Sequence, residues 1–321
     1  LAEHGQRGDL SVMFGAGASM PLGLPSWEAL IRKIGEELDY PEDALVALSK
    51  LSPIDSATIL RQYAGSDEKF QTVIAAHVET SRCSLTHALI ATLQPRVAIT
   101  TNYDRGYEIA QKSITGREPA VLPWDRVTTS DRGYLLKLHG DISRGQIVLA
   151  RDDFASVHVR NRPLIGVVQE RLLAGQLLTI GSTVSDPTLI QAAEEVGALL
   201  DRMTQERNEL NGTVILTEDN TPQTILLERN FAIGRAQPAS TRLSYQSEPP
   251  DSVLDAARRV DILLDLINMY VSSAYSYALT PRYLGMLSDE DSMVIDALND
   301  LRESIKNSPR HIEQGSLVQV V

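Results

Sequence analysis

The stretch Val12-Met-Phe-Gly-Ala-Gly-Ala-Ser19, continued by Gly23-Leu-Pro-Ser-Trp27, decides the reading of this chain. A short apolar run passes straight into glycines and small residues, then into a helical pattern. Such a turn lets backbone approach a phosphate, with the N–H groups of the following helix aimed at the negative charge. Alone it implies no more than a nucleotide. Two later segments give it meaning: Ile99-Thr-Thr-Asn-Tyr-Asp104 and Leu136-Lys-Leu-His-Gly-Asp141.

Apolar runs of strand length recur at Ser11–Phe14, Val97–Thr100, Tyr134–Leu138, Gln146–Ala150, Leu177–Ile180 and Thr213–Thr217. Several lead through Gly, Asp or Asn into helical periodicity, which predicts an α/β fold: a Rossmann-like, doubly wound parallel sheet with helices on both faces. Between the first two strands lie about eighty residues, far more than a crossover needs. That stretch reads as helices over Trp27–Leu38, Glu42–Leu51, Asp55–Tyr63, Lys69–Glu79 and Leu85–Leu93, punctuated by Pro41, Pro53 and Gly65. Pro187–Asn211 reads as one amphipathic helix with Leu189, Ala192, Ala193, Val196, Leu199, Leu200 and Met203 on its apolar face. Residues 237–252 look like a linker, and Val253–Val271 and Asp289–Lys306 are helical again. The expected organisation is a nucleotide-binding domain from residues 1–34 and 83–236, a helical insertion or lid at 35–82, and a C-terminal helical extension at 253–321.

Composition narrows the function classes. Of 321 residues, 43% are hydrophobic and 22% charged, which is ordinary for a soluble domain; aromatics at 5% leave the core to Leu, Ile, Val and Ala. A net charge of −12 with no basic run argues against direct nucleic-acid binding. Cys83 is the only cysteine, which rules out an internal disulfide and any cysteine-built zinc site, fits a reducing cytoplasm, and reads as a structural thiol. The apolar stretch from Val260 to Val271 holds Asp261 and Asp265 and is too short to span a bilayer, so no membrane role is expected. No signal peptide is visible; the Leu1 start reads as trimmed and the uncapped Leu317–Val321 tail as cut from a longer polypeptide.

Asn102 sits just past a strand end, at the edge where ligands bind in open α/β sheets. A neutral amide offers one acceptor and two donors, enough to hold a water without a fixed charge; its alternative is capping a strand-to-helix turn. His139, before Gly140, lies at another strand end, where an imidazole can take a proton near neutral pH; the alternative is a histidine satisfied in a turn. His77 and His87 belong to helices, and His4, His158 and His311 lack any motif. Asp104 is either a ligand contact or a helix-capping carboxylate. Gly15, Ala16, Gly17 and Ser19 would line phosphates, with Ala16 and Ser19 offering backbone or hydroxyl donors. Met20 stands where a dinucleotide fingerprint has its third glycine, no acidic residue follows at the expected distance, and no Gly-Lys-Ser/Thr loop exists, so dehydrogenase and ATPase readings are weak.

In order and spacing the three segments, with Leu178-Thr-Ile-Gly-Ser-Thr-Val-Ser-Asp-Pro187 as a fourth, resemble the NAD-binding core of the sirtuins. They are more similar to the bacterial sirtuin-like NAD hydrolases of phage-defence systems than to protein deacylases. The resemblance covers roughly Leu10 to Glu218. It implies NAD as substrate, no metal, Asn102 holding the attacking water and His139 acting as base. It also implies Asp104 on the nicotinamide carboxamide, Trp27 near the nicotinamide end, and Gly181, Ser182 and Thr183 on the adenosine ribose. Asp186-Pro187 reads simply as a helix start, and Glu218 as a solvated turn or a ribose contact. The zinc cysteines of deacylases are absent, and Glu28 stands where deacylases carry arginine. The resemblance therefore implies cleavage of NAD to nicotinamide and ADP-ribose by a cytoplasmic effector of abortive infection. Its gating would come from homo-oligomeric assembly, from a partner such as an ATPase or Argonaute-type module, or from a phage trigger. NAD-dependent deacylation and a non-catalytic NAD or ADP-ribose sensor stand as the alternatives.

Overall fold

The computed structural model describes residues 5, 7–128, 131, 133–174, 177–182, 186–203, 212–217, 221–236, 252–271, 293 and 296. Thr183, Glu218 and the 237–251 stretch lie outside these residues, as does most of the Asp289–Lys306 helix, of which Met293 and Asp296 are helical.

A seven-stranded sheet carries the fold. Its strands are β1 (Ser11–Phe14), β2 (Val97–Thr100), β3 (Ala120–Leu122), β4 (Tyr134–Lys137), β7 (Leu177–Ile180), β8 (Thr213–Leu216) and β9 (Ala232–Arg235). The spatial order is β3-β4-β2-β1-β7-β8-β9, and every pairing within it is parallel. Strands β1, β2 and β7 are buried at every position, as expected where helices cover both faces. The chain lays β2 beside β1, β3 at the outer edge and β4 between β2 and β3, then returns to β7 on β1's other side. Strand order thus reverses between β1 and β7, and open α/β sheets bind ligands at the carboxyl edge beside such a reversal. Register sets Phe14 opposite both Thr100 and Ile180, and Thr100 opposite Lys137. Gly15, Asn102, His139 and Gly181 are therefore all delivered to one edge.

Helices α1 (Trp27–Glu37), α2 (Glu42–Leu48), α3 (Pro53–Ala64) and α4 (Asp67–Val78) precede α5 (Leu85–Thr92) and α6 (Gly106–Thr115). Ser26, Ser52, Ser66 and Ser84 each accept a backbone N–H at the start of α1, α3, α4 and α5, the usual use of serine at that position. Leu30, Ile34, Leu60 and Ile74 pack with Tyr103 and Leu149 in a core of their own. On the sheet, α8 (Arg162–Leu173) and α9 (Pro187–Met203) bury Leu164, Val168, Leu172, Leu189 and Val196 against Ile99, Leu136 and Val214. Leu199 departs from the expected stripe of α9 and is 39% exposed.

The strand expected over Gln146–Ala150 is not part of the sheet. Gly140, with φ 101° in the left-handed region, takes the chain off the sheet, and the reversal follows over the 3₁₀ turn Ile142–Arg144 and left-handed Gly145. β5 (Gly140–Asp141) and β6 (Gln146–Ile147) then form a separate antiparallel ribbon, and Leu149 and Ala150 lead into α7 (Arg151–Arg160). α10 (Thr221–Glu228) and α11 (Ser252–Val271) complete the described elements. The chain divides into a main unit reaching Asp265 and a second unit from Leu266 to Val321; the described residues of the second are helical. Among the described residues no helix is long and apolar enough to cross a membrane.

Candidate active site

A cleft of about 460 Å³ opens at the β1/β7 reversal, within the size range of small-molecule sites. Gly15, Ala16, Gly17, Ser19, Trp27, Asn102, Asp104, His139, Gly181 and Ser182 all border it. Thr183 is outside the described residues.

The turn after β1 differs from the expected phosphate helix. Two 3₁₀ turns, Ala16–Ala18 and Met20–Leu22, intervene before α1 begins at Trp27. The glycines serve a close backbone contact: Gly15 N–H donates to Ile180 O (3.3 Å) and Gly17 N–H to Gly181 O (2.8 Å). A Cβ on Gly17 would stand 2.7 Å from Gly181 Cα, and one on Gly15 would stand 2.8 Å from Gly181 O. Gly181 itself has φ +57°. Gly17→Ala is expected to destabilise the fold by about 1–3 kcal/mol, as overpacking does, read as a lower urea midpoint.

Ser19 is also turned inward. Its N–H donates to Ala16 O, and its hydroxyl donates to Asp104 Oδ2 (2.7 Å), so neither expected donor is available to a phosphate. The hydroxyl in turn accepts from Asn102 Nδ2 (2.9 Å), which also donates to Gly15 O (3.0 Å). Gly15 O can only accept, so the amide is fixed with nitrogen on that side. Oδ1 is then the uncommitted hydrogen-bonding atom of Asn102. Asp104 does cap a helix, accepting from Gly106 N–H (2.8 Å) at the start of α6.

His139 is 4% exposed. Its ring meets Phe154 edge-on at 5.1 Å, and Phe154 stacks on Trp27 at 6.0 Å. Nε2 lies 2.9 Å from Asp186 Oδ2, an ion-pair distance, with the N–H direction off the line to the oxygen. No hydrogen bond engages Nδ1 among the described residues. Asp186, 7% exposed, takes the N–H groups of Thr188 (2.9 Å) and Leu189 (3.0 Å) on its other oxygen, capping α9. Burial opposes its charge, but His139 and those two N–H groups hold its carboxyl below the ordinary range.

Behind the cleft, Lys137 is buried and its ammonium contacts Asp104 O (2.7 Å), Asp141 Oδ2 (2.7 Å) and Glu108 Oε1 (2.9 Å). Burial raises the Glu108 carboxyl despite Lys137. Burial opposes the Asp141 charge too, yet Lys137 and Ser143 hold that carboxyl low. Removing one member of a buried ion group strands the others, so Lys137→Met is expected to cost about 3–5 kcal/mol near neutral pH. Without the cation the Glu108 carboxyl, already raised by burial, rises further above its unfolded value, so stability survives at acid pH and is lost as pH rises through that raised value. Denaturant midpoints of parent and variant from acid to alkaline pH measure this.

The far wall was not foreseen. Val253, Ala256, Ala257 and Val260 of α11 line the cleft opposite Ile215 and Leu216. Thr86 at the start of α5 donates to Asp261 Oδ1 (2.6 Å), and Arg259 donates to Thr217 O (3.2 Å). In the sequence this helix reads only as part of the C-terminal extension at 253–321. Among the described lining residues none is Lys or Arg, whereas Glu28, Asp104 and Asp186 are acidic. Among the described residues no cluster of His, Cys, Asp or Glu is arranged to hold a metal.

Residues 96–233 match the model of the SIR2-like domain family. The chain is 26% identical over 201 residues to the NAD(+) hydrolase ThsA of Cytobacillus dafuensis, covering 59% of this chain and 38% of that protein. It is 25% identical over 201 residues to the NAD(+) hydrolase ThsA of Bacillus cereus strain MSX-D12, covering 60% and 40%. A solved structure described as the basis for mechanism and regulation of Sir2 enzymes superposes with TM-score 0.40 and 14% identity, over 82% of this chain and 96% of that one. The similarity is therefore to a SIR2-like domain family over part of the chain and, at 25–26% identity, to proteins named NAD(+) hydrolases. It spans about two fifths of the length of those relatives, 38% and 40%.

Proposed function

We propose that this protein hydrolyses NAD to nicotinamide and ADP-ribose. The observation that carries the reading is the meeting of Asn102, with its amide nitrogen locked inward, and His139 on a single cleft at the strand-order reversal. Asn102 Oδ1 accepts a hydrogen bond from water and holds its oxygen against the anomeric carbon of the nicotinamide ribose. As that C–O bond forms, the C1′–N bond breaks and its electron pair neutralises the nicotinamide ring. The proton leaving the water passes to His139. Holding both partners in place supplies much of the acceleration, and the acid–base step the rest.

Charge supports the same orientation. Glu28, Asp104 and Asp186 suit a cationic nicotinamide and a ribose that gains positive charge as the bond breaks. With no cation among the described lining residues, the pyrophosphate is held at the Gly15–Gly17 turn, where the Ala16 N–H is the donor not taken up by the contacts with Ile180 O and Gly181 O. The adenosine end lies toward Ser182, against the apolar face of α11. Trp27 and Asp104 border the nicotinamide end.

The wider setting is also part of the proposal: a cytoplasmic effector of anti-phage abortive infection, held inactive until assembly, a partner protein or a phage trigger releases it. Uncontrolled NAD loss would harm the host, which is the reason to expect a gate. Purified protein assayed for nicotinamide, with and without an acylated peptide, separates the readings. Release without peptide supports hydrolysis. Release that requires the peptide and yields a deacylated product favours a deacylase. Tight NAD binding with no release under any activator favours a sensor.

A further inference from the structure

The mechanism above uses Asp186 only as part of the acidic lining of the cleft, and gives no part to its contact with His139. Asp186 is the residue before Pro187, and helix capping accounts for only one of its oxygens. Oδ1 takes the N–H groups of Thr188 and Leu189. Oδ2 is buried, accepts no hydrogen bond, and stands 2.9 Å from His139 Nε2. Capping needs a single acceptor oxygen, which Asn or Ser supplies equally well. It does not need a second charged oxygen aimed at an imidazole.

We propose that Asp186 is a positioning residue for His139: its Oδ2 holds the proton of the neutral ring on Nε2, so that Nδ1 carries the lone pair that accepts the proton from water. A carboxylate beside one ring nitrogen selects the tautomer protonated there and stabilises the imidazolium that forms when the other nitrogen is protonated. The proton that water loses then rests on Nδ1, and the positive ring is balanced by Asp186, which stays ionised. Phe154 fixes the plane of the ring from its edge. The other ionisable groups around this corner are Asp104 and Glu28 on the cleft wall, and Tyr103 and Asp153 behind it. Tyr103 donates to Val148 O, while Asp153 binds Arg61 and the N–H groups of Leu149 and Ala150. Glu28 accepts from Ser26, and Asp104 is bound by Ser19 and Gly106. Asp186 alone among them has an ion-pair contact with the ring.

The role in turnover rests on the hydrolase reading; the tautomer does not, and this separates the two failures. Asp186→Asn keeps the cap, because its amide oxygen must face the Thr188 and Leu189 N–H groups. The amide nitrogen then faces Nε2 as a donor and favours the opposite tautomer. Long-range ¹H–¹⁵N spectra of the ¹⁵N-histidine-labelled full chain, with His139 assigned through His139→Gln, read this directly without turnover. The parent is expected to show protonated Nε2 and bare Nδ1, and Asp186→Asn the reverse. Where nicotinamide release is measurable, kcat should fall roughly a hundredfold with KM for NAD nearly unchanged, and the acid limb of the pH profile should move to lower pH. An unchanged His139 tautomer in folded Asp186→Asn overturns the proposal, whatever the parent's activity. An unaltered kcat and pH profile in an active enzyme overturns its catalytic part.

Discussion

His139→Ala is expected to slow nicotinamide release by about 10²- to 10⁴-fold, the range a positioned general base contributes. Truncation removes the only imidazole among the described residues that border the cleft and opens a gap beside Phe154. The dinucleotide-binding turns are untouched, so KM should change little. The substitution also leaves the buried Asp186 Oδ2 without the ring beside it, and a stability cost of about 1–3 kcal/mol is expected from that stranded carboxylate. Single-turnover rates on protein with a measured urea midpoint keep the two effects apart. A parent that releases nicotinamide no faster than folded His139→Ala would remove this residue from the mechanism.

Asn102→Ala is expected to lower kcat by about a hundredfold, because loss of the oriented water misplaces the attacking oxygen. The amide also bridges Gly15 O and Ser19 Oγ, so both lose a donor. Ser19 keeps its bond to Asp104, and the affected carbonyl borders a cleft open to water, which limits the structural cost. Nucleotide binding, followed by calorimetry with ADP-ribose, should survive. Retained binding with lost turnover is the pattern expected of a residue that touches the attacking water. Lost binding together with lost turnover would instead make Asn102 a strut of the phosphate turn.

The central strands were plain in the sequence because a parallel sheet covered on both faces writes continuous apolar runs, as at Ser11–Phe14 and Leu177–Ile180. β3 and β9 were not, since edge strands need little apolar content: Ala120–Leu122 is short and Ala232–Arg235 is only half-buried. The separate ribbon followed from left-handed torsions at Gly140 and Gly145, which no periodicity records. In the site, motif positions located Asn102 and His139 because both lie just beyond strand ends. What sequence could not supply was who holds them. Ser19 reaches Asp104 across 85 residues, and Asp186 meets a histidine far earlier in the chain. Lys137 did leave a trace: a lysine inside Leu135-Leu136-Lys137-Leu138 of a buried strand has to find anionic company. It finds Glu108 on α6 and Asp141 on β5.

The Cβ-free contact between the Gly15–Gly17 turn and Gly181 has a kinetic corollary. Two main-chain segments pressed together with no room for a methyl group have little slack, so the crevice mouth keeps its outline whether or not a dinucleotide sits in it. The ordering is completed during folding, and a ligand arriving there meets a ready-made berth. Stopped-flow association should accordingly rise linearly with nucleotide concentration, without the plateau that a rearranging mouth would impose.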